Sequence, residues 1–287
     1  MKKYFYVSLL FISLIIACAR VPISNRKQFI LVGDSELNAM ALTSYKSFLD
    51  TNKVVPNSNS NTQMAKRVGD KIAKAAQQYF IEHKKPNYLD GFAFETNLVE
   101  SKDVNAWCMP GGKMVVYTGI LPVTQTETGL AVVMGHEVSH AIAKHGAERM
   151  SQGMLAQGLL LAGQIGLGVA MADKPAATQN LWNQIFGLAA PAGAQLGLLA
   201  NGRNQESEAD HLGLIFMSMA GYNPQEAIPF WERMGKLSNG PKPPVILSTH
   251  PTDTQRIAGI TKYMPEALKI YARTTGTAPG ALPGAKY

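Results

Sequence analysis

The sequence predicts an α+β protein that is mainly helical, with a small sheet just before the helix that carries three of its six histidines. Apolar residues recur every four positions over residues 61–80, which indicates an amphipathic helix. Short apolar segments separated by glycines fill residues 90–121 and indicate strands. With 287 residues, 46% hydrophobic and 16% charged, the chain can bury one substantial core, or at most two small ones.

The chain begins with MKKYFYVSLLFISLIIACAR, in which two lysines precede an apolar run that ends at Ala17. This order is typical of a secretory signal. Ile15-Ile16-Ala17-Cys18 resembles the bacterial lipobox, in which the cysteine is acylated and cleavage makes it the first residue. We therefore predict a lipoprotein signal peptide over residues 1–17, lipidation of Cys18 and a lipid-anchored tether over residues 18–34. An uncleaved membrane helix is the alternative, but a run of about 14 apolar residues is short for a bilayer, which needs about 20.

The residue after Cys18 is Ala19, not the aspartate that commonly retains lipoproteins in the inner membrane, so we expect an outer-membrane lipoprotein that faces the periplasm. Cys108 would then have no disulfide partner, and we predict a buried structural thiol. The net charge of +7 falls to +5 without Lys2 and Lys3. The remaining basic residues are scattered, which fits a mild attraction to anionic membranes and gives no support for nucleic-acid binding.

Caps and periodicity predict the first helices. GDSE opens a helix from Ser35 to about Leu49, since it supplies an N-cap and a first-turn acid. The helix over residues 61–80 has one apolar face, which consists of Met64, Val68, Ile72, Ala76 and Phe80. GFAFETNLV, NAWCMP and KMVVYTGIL are then predicted strands, with Gly111-Gly112 as a turn. A helix is expected from about Gln125 to Met150.

Two stretches without charged residues follow, Met150–Ala172 and Pro175–Gly202, and a short break separates them. The first has the length of a membrane span, but several glycines and glutamines interrupt it. We predict an apolar helical lid or hairpin over residues 150–202 that covers the active site, with membrane insertion as the alternative. Helices resume at about Asn204–Met219, Pro224–Leu237 and Thr252–Tyr263. The domain is expected to span residues 35–265, and the Gly/Pro-rich residues 266–287 to form a flexible tail.

The stretch VVMGHEVSHAIAKHGAER suggests a metal site. His136 and His140 are four residues apart, so both imidazoles leave one face of a helix and can bind one ion. Glu137 lies about 100° around the helix and can take a proton from water without being a ligand. This is the His-Glu-x-x-His arrangement of zinc hydrolases. On a continuous helix His145 faces away, so we expect it to form a structural pair with Arg149.

A catalytic zinc needs a third protein ligand, and NGRNQESEADHLG offers several acidic residues on one predicted helix. Glu206 and Asp210 share a face, so if Glu206 binds zinc, Asp210 can accept the outer N–H of a ligand histidine. Glu208 lies about 200° away from Glu206, and the residue one turn after it is Leu212, which cannot do this. The sequence therefore favours Glu206 over Glu208.

GHEVSHAIAKHGAERMS, ESEAD and STHPTDTQRI together resemble the HtpX/CAAX-prenyl-protease superfamily of gluzincin metallopeptidases, in particular its soluble bacterial lipoprotein and periplasmic branch (LoiP- and BepA-like). The resemblance implies a zincin-like fold in which a small edge sheet lies beside the helix with His136. It implies zinc ligands His136, His140 and Glu206, with Glu137 as general base. His250 falls at the family's His-Pro position, where it can cap the metal or stabilise the transition state. Arg256 matches a further family arginine.

These residues predict a zinc endopeptidase of the cell envelope that cleaves unfolded or misassembled envelope proteins. The strand around Lys113–Thr118 would pair with an extended substrate. His250, with Tyr263 as a weaker candidate, would stabilise the oxyanion. Expected partners are unfolded proteins, the membrane through the lipid, and the outer-membrane assembly machinery. The alternatives are an envelope assembly factor or chaperone with a latent zinc site, and an integral membrane protease.

Overall fold

The computed structural model describes residues 18–154, 202–238, 244–250 and 254–277. It confirms the predicted fold class, since the described part is mainly helical with two small sheets. Within these ranges no helix combines the length and the apolar character that a membrane span requires. The predicted signal peptide and most of the predicted lid over residues 150–202 lie outside the described residues.

The chain starts its described course as a hairpin. Strand β1 (Cys18–Arg20) pairs antiparallel with β2 (Lys27–Phe29). Val21, which follows β1, is 1% exposed and joins the main core, and Gln28 is 2% exposed. The segment that the sequence predicts as a tether is therefore folded onto the domain, because it carries side chains that the domain buries.

Two long helices follow, α1 (Asp34–Thr51) and α2 (Ser60–Glu82), close to their predicted positions. The apolar face of α2 packs as the periodicity predicts: four of its five residues are fully buried, and Met64 is half-buried. A short 3₁₀ helix at Pro86–Leu89 then leads into the sheet.

The second sheet contains β3 (Glu95–Val99), β4 (Ala106–Met109) and β5 (Lys113–Tyr117), in the order β3-β5-β4. β5 runs parallel to β3 and antiparallel to β4. The prediction that the strand around Lys113–Thr118 pairs with an extended substrate is thus wrong, because β5 lies in the centre and both of its edges are already paired. Strand order follows from how the chain crosses between strands, which the apolar pattern of a single strand does not encode.

The two edges of this sheet have different surroundings. Residues 53–55 cover the outer edge of β3, where Val55 N–H donates to Leu98 at 2.8 Å and Glu100 N–H to Lys53 at 2.9 Å. β4 forms the opposite edge and packs against the helix that carries the histidines. α1 lies on one face of the sheet, where Tyr45 and Phe48 pack against Trp107.

A 3₁₀ turn at Thr118–Ile120 and the short helix α3 (Leu121–Thr124) precede α4 (Glu127–Ile142). The Thr126 side chain caps α4 by accepting the N–H of Gly129 at 3.0 Å. The predicted helix from Gln125 to Met150 is not continuous: α4 ends at Ile142, Lys144 adopts a left-handed φ of 57°, and a second helix, α5, covers residues 145–154. One left-handed residue interrupts the i to i−4 hydrogen-bond ladder and redirects the chain.

The last helices are α6 (Arg203–Met219), α7 (Ala227–Ser238), α8 (Val245–Thr249) and α9 (Thr254–Thr275), with a 3₁₀ turn at Pro224–Glu226. α9 continues well past Tyr263, where the sequence predicts its end, and includes Pro265. Leu268 and Ala272 are buried four residues apart beyond this proline. Packing on that side keeps the chain helical, and residues 266–275 are not a loose tail.

α4 and α6 cross at two glycines. A Cβ added at Gly213 would lie 3.0 Å from the backbone nitrogen of His136, and one added at Gly135 would lie 3.0 Å from the carbonyl oxygen of Gly213. The two helix backbones therefore touch at the level of His136, which brings side chains of α6 within reach of those of α4.

We expect Gly213→Ala to lower the free energy of unfolding by about 1–3 kcal/mol, because the added methyl group can be accommodated only if two helix backbones separate. Gly259→Ala is the matched control, since Gly259 is also helical and a Cβ there meets nothing within 4 Å. Chemical denaturation of both metal-free variants measures the difference. Equal stabilities would contradict the close-contact interpretation.

Candidate metal centre

Four side chains that can bind a metal converge between the helices: His136, His140, Glu206 and His250. All four are at most 8% exposed. Each offers one ligand atom, and these atoms lie within 4.8 Å of one another. The sequence therefore names the members of this cluster, although they come from three separate segments.

The two histidines of α4 lie one helical turn apart and present Nε2 to the same point, with 3.0 Å between these atoms. Glu206, in the first turn of α6, places Oε2 at 3.3 Å from His136 Nε2 and Oε1 at 3.3 Å from His140 Nε2. The crossing of α4 and α6 makes this approach possible.

His250 follows α8 directly and completes the cluster. Its Nδ1 lies 2.9 Å from Glu206 Oε2 and 3.2 Å from His136 Nε2. The side chain thus points into the cluster and offers a fourth ligand atom beside those of His136 and Glu206. The backbone N–H of Ile246 in α8 approaches the carbonyl of Val104 at 3.4 Å, next to the start of β4.

The donor set fits zinc. Ligand atoms around a tetrahedral zinc at about 2.0–2.1 Å lie roughly 3.3–3.4 Å from one another. The separations of 3.0–3.3 Å between His136, His140 and Glu206 are close to that spacing. Imidazole nitrogen and carboxylate oxygen are also ligand types that zinc accepts.

Glu137 lies beside the cluster without belonging to it. Its side chain is buried, and Oε1 has no hydrogen-bond partner among the described residues. His250 Nε2 lies 3.6 Å from Oε1, beyond hydrogen-bond distance. A buried carboxylate oxygen without a donor is available for a proton from a molecule that enters the site.

Asp210 and Arg256 support His136 from its outer side. Asp210 Oδ1 lies 2.9 Å from His136 Nδ1, as the four-residue spacing from Glu206 suggests. The Arg256 guanidinium donates to the same oxygen at 2.6 Å and lies 3.3 Å from the ring centroid of Trp231. His136 is therefore held between the cluster and a carboxylate that an arginine fixes in place.

His145 and Glu208 support His140, and this support is not predicted from the sequence. His145 Nδ1 lies 2.8 Å from His140 Nδ1, and His145 Nε2 lies 3.0 Å from Glu208 Oε2. The prediction that His145 faces away and pairs with Arg149 is wrong, because the left-handed turn at Lys144 ends the helical phase on which it rests. As predicted, Glu208 is absent from the four-residue cluster.

Burial and charge set the protonation of the cluster. Burial raises the pKa of the Glu206 carboxyl, but electrostatic interactions and hydrogen bonds with the surrounding imidazoles outweigh it and hold this pKa well below its usual range. Burial lowers the pKa of His140 well below the ordinary value. Burial and the charge of Arg256 lower the pKa of His136, but Asp210 and Glu206 outweigh them and raise it to about 9. Glu206 is thus anionic and His140 neutral, which are their metal-binding forms, whereas His136 has to release a proton when a metal binds.

The remaining candidate residues lie elsewhere. The Tyr263 hydroxyl contacts Ser207 Oγ at 3.2 Å and its ring stacks on His211, so it is directed away from the cluster. Cys108 is a free, half-buried thiol on β4, and burial raises its pKa, which fits a structural thiol. Cys18 begins β1, and its lipidation stays a prediction.

Comparisons with known proteins agree with this geometry. The sequence model of Peptidase family M48 matches residues 59–264. The chain is 30% identical to the mitochondrial metalloendopeptidase OMA1 of Saccharomyces cerevisiae, over 91% of this chain and 73% of the relative, and 31% identical to that of Schizosaccharomyces pombe, over 86% and 66%. It is 29% identical to the beta-barrel assembly-enhancing protease of Escherichia coli, over 58% of this chain and only 33% of that relative.

We expect Asp210→Asn to weaken zinc binding about 10–100-fold, because His136 loses a charged acceptor that fixes its orientation. Competition with a chromophoric chelator measures the dissociation constant. Asp70→Asn, at an exposed position of α2, serves as the control. An unchanged dissociation constant for Asp210→Asn would show that this carboxylate does not support the metal.

Proposed function

This chain belongs to peptidase family M48, whose members are zinc-dependent metallopeptidases, and from that premise we propose that it is an endopeptidase of the bacterial cell envelope that cleaves unfolded or misassembled proteins. The observation that carries the proposal is the convergence of His136, His140 and Glu206 at one buried point with Glu137 beside them. In this proposal His136, His140 and Glu206 would hold zinc.

The catalytic step needs an activated water and a proton carrier. When bound, zinc supplies Lewis acidity that activates water and polarises the scissile carbonyl. Glu137 Oε1 takes the proton of the attacking water and delivers it to the nitrogen of the leaving amine. Glu137 is buried, and no described group donates a hydrogen bond to its Oε1. This supports the role, since the oxygen can accept a proton without first losing another hydrogen bond.

His250 is proposed to act as a gate. It contacts both carboxylate oxygens of Glu206 and points at His136, so it fills the side of the cluster that a substrate carbonyl must approach. Opening requires α8 to withdraw this side chain. If it never withdraws, the protein is an assembly factor or chaperone with a latent zinc site, which is the second candidate function.

The outer edge of β4, which pairs with no other described strand, is the proposed docking site for substrate, in place of the central strand β5. Asn105 pairs with Tyr117 through a backbone hydrogen bond of 3.1 Å, and the antiparallel register alternates from there. The main-chain groups of Ala106 and Cys108 consequently point away from β5, toward the outer edge. An extended peptide that pairs with them lies beside α4 and meets α8, so docking and gate opening are coupled.

This mode of docking depends on main-chain hydrogen bonds and not on particular side chains. It therefore favours substrate segments that lack tertiary structure. An envelope location is supported by the lipobox-like sequence at Cys18 and by the similarity to the beta-barrel assembly-enhancing protease of E. coli. The outer membrane, facing the periplasm, is the proposed location, with unfolded envelope proteins as substrates and the outer-membrane assembly machinery as a further partner. The mitochondrial location is that of the yeast relatives, and we do not propose it for this chain.

Glu137→Gln is expected to abolish cleavage of an unfolded substrate such as casein, by at least about 10²–10⁴-fold, because the amide cannot accept the proton. Zinc content should be unchanged. Glu232→Gln, at an exposed position of α7, should cleave like the wild type. Cleavage retained by the Glu137 variant would exclude this mechanism, whereas zinc lost from it would make Glu137 structural.

His250→Ala is expected to cleave casein several-fold faster than the wild type, because the gate is removed. His83→Ala provides a control, since His83 stacks on Tyr79 outside the cluster. A rate that falls by about 10²–10³-fold would instead identify His250 as a stabiliser of the transition state. Cleavage by neither wild type nor variant would favour the chaperone function.

A further inference from the structure

We propose that Arg26, in the N-terminal hairpin, is a positioning residue of the metal centre that acts on His140 through Glu208 and His145. We refer to His145, Glu208 and Arg26 as the His140 relay. The proposal rests on the metal site of the proposed function, and it adds Arg26, which lies outside the motifs that carry the family resemblance.

The contacts of the relay are continuous. Arg26 Nε donates to Glu208 Oε1 at 2.9 Å, and its Nη2 donates to Glu208 Oε2 at 3.1 Å. Glu208 Oε2 lies 3.0 Å from His145 Nε2, and His145 Nδ1 lies 2.8 Å from His140 Nδ1. Ser24, in the same hairpin, also donates to Glu208. His145 is fully buried and Glu208 is 6% exposed, so solvent does not compete for these bonds.

The direction of the hydrogen bonds follows from the metal site. His140 directs Nε2 at the cluster, so its proton is on Nδ1 and is donated to His145 Nδ1. His145 then carries its own proton on Nε2 and donates it to Glu208, which accepts only. Each imidazole therefore has one tautomer, and the negative charge of Glu208 makes His140 a stronger ligand.

The two ligand histidines of α4 have equivalent support. His136 contacts Asp210, which Arg256 holds at 2.6 Å. His140 is connected to the carboxylate of Glu208 through one intervening side chain, that of His145, and Arg26 binds this carboxylate. In both cases an arginine forms an ion pair with a buried carboxylate, whose burial without a partner would be costly.

The hairpin and the segment that joins it to α1 are fixed firmly enough for Arg26 to act in this way. Gln28 donates to the carbonyl of Ala143 at 2.7 Å, where α4 ends, and the Leu31 N–H donates to Ser151 Oγ at 2.9 Å. Lys144, the left-handed residue, pairs with Asp34 at 2.6 Å. The predicted tether is consequently part of the wall behind the metal site.

Two carboxylates that both bind Arg26 allow a matched test. Glu148 binds Arg26 at 2.6 Å and is buried like Glu208, but only Glu208 contacts His145. Glu208→Gln and Glu148→Gln therefore both weaken the attachment of the hairpin, and only Glu208→Gln alters the relay.

The full chain, with zinc ion as the probe, is titrated against a chromophoric chelator. We expect Arg26→Gln and Glu208→Gln to raise the zinc dissociation constant about 10–100-fold and Glu148→Gln to raise it less than about threefold. In histidine-labelled NMR spectra of the zinc form, the Nδ1 proton of His140 should shift in the first two variants and stay in place in the third. Should Arg26→Gln fail to fold, Arg26→Lys, which keeps the charge but not the fork, should give an intermediate constant.

Equal weakening by Glu208→Gln and Glu148→Gln would overturn the proposal, since the hairpin would then act as a brace alone. Unchanged constants in all variants would overturn it as well. These results leave the proposed endopeptidase intact, whereas a wild type that binds no zinc would overturn both.

Discussion

The structure depends on the burial of one carboxylate, Glu206, against three imidazoles. Removing an ionised carboxylate from water costs several kcal/mol unless opposite charge and hydrogen bonds surround it. The chain meets this requirement with side chains from α4, α6 and the end of α8, at separations of about 3 Å. Helix packing, strand placement and the outer hydrogen bonds all serve to hold these groups at one point in the low-polarity interior.

The outer hydrogen bonds explain why so many charged residues are buried in a protein with few charges. Asp210, Glu208 and Arg256 are each at most 7% exposed, and each has a partner that leads to a ligand histidine. Such groups stabilise little by themselves, because desolvation offsets most of their attraction. Their effect is orientation: they fix which nitrogen of each imidazole carries its proton. The metal centre is therefore larger than its ligands and extends to the N-terminal hairpin.

Much of the site follows from local spacing in the sequence. The four-residue intervals from His136 to His140 and from Glu206 to Asp210 set shared helix faces, which the structure confirms. Features that depend on one irregular residue or on tertiary context do not follow. Left-handed Lys144 reverses the predicted orientation of His145, and buried Leu268 and Ala272 carry α9 through Pro265. Strand order and the docking of residues 18–32 are likewise set by long-range packing.

The contact of Gly135 with Gly213 has a consequence for how this protein can change in evolution. At most packed positions a larger residue on one element can be accommodated by a smaller one opposite. Here both partners already lack a side chain, and the atoms they meet are backbone. No second substitution at the crossing can make room, so the pair has no compensating route. Larger residues are therefore excluded at both positions, whereas other positions of the two helices can still exchange a larger side chain for a smaller one.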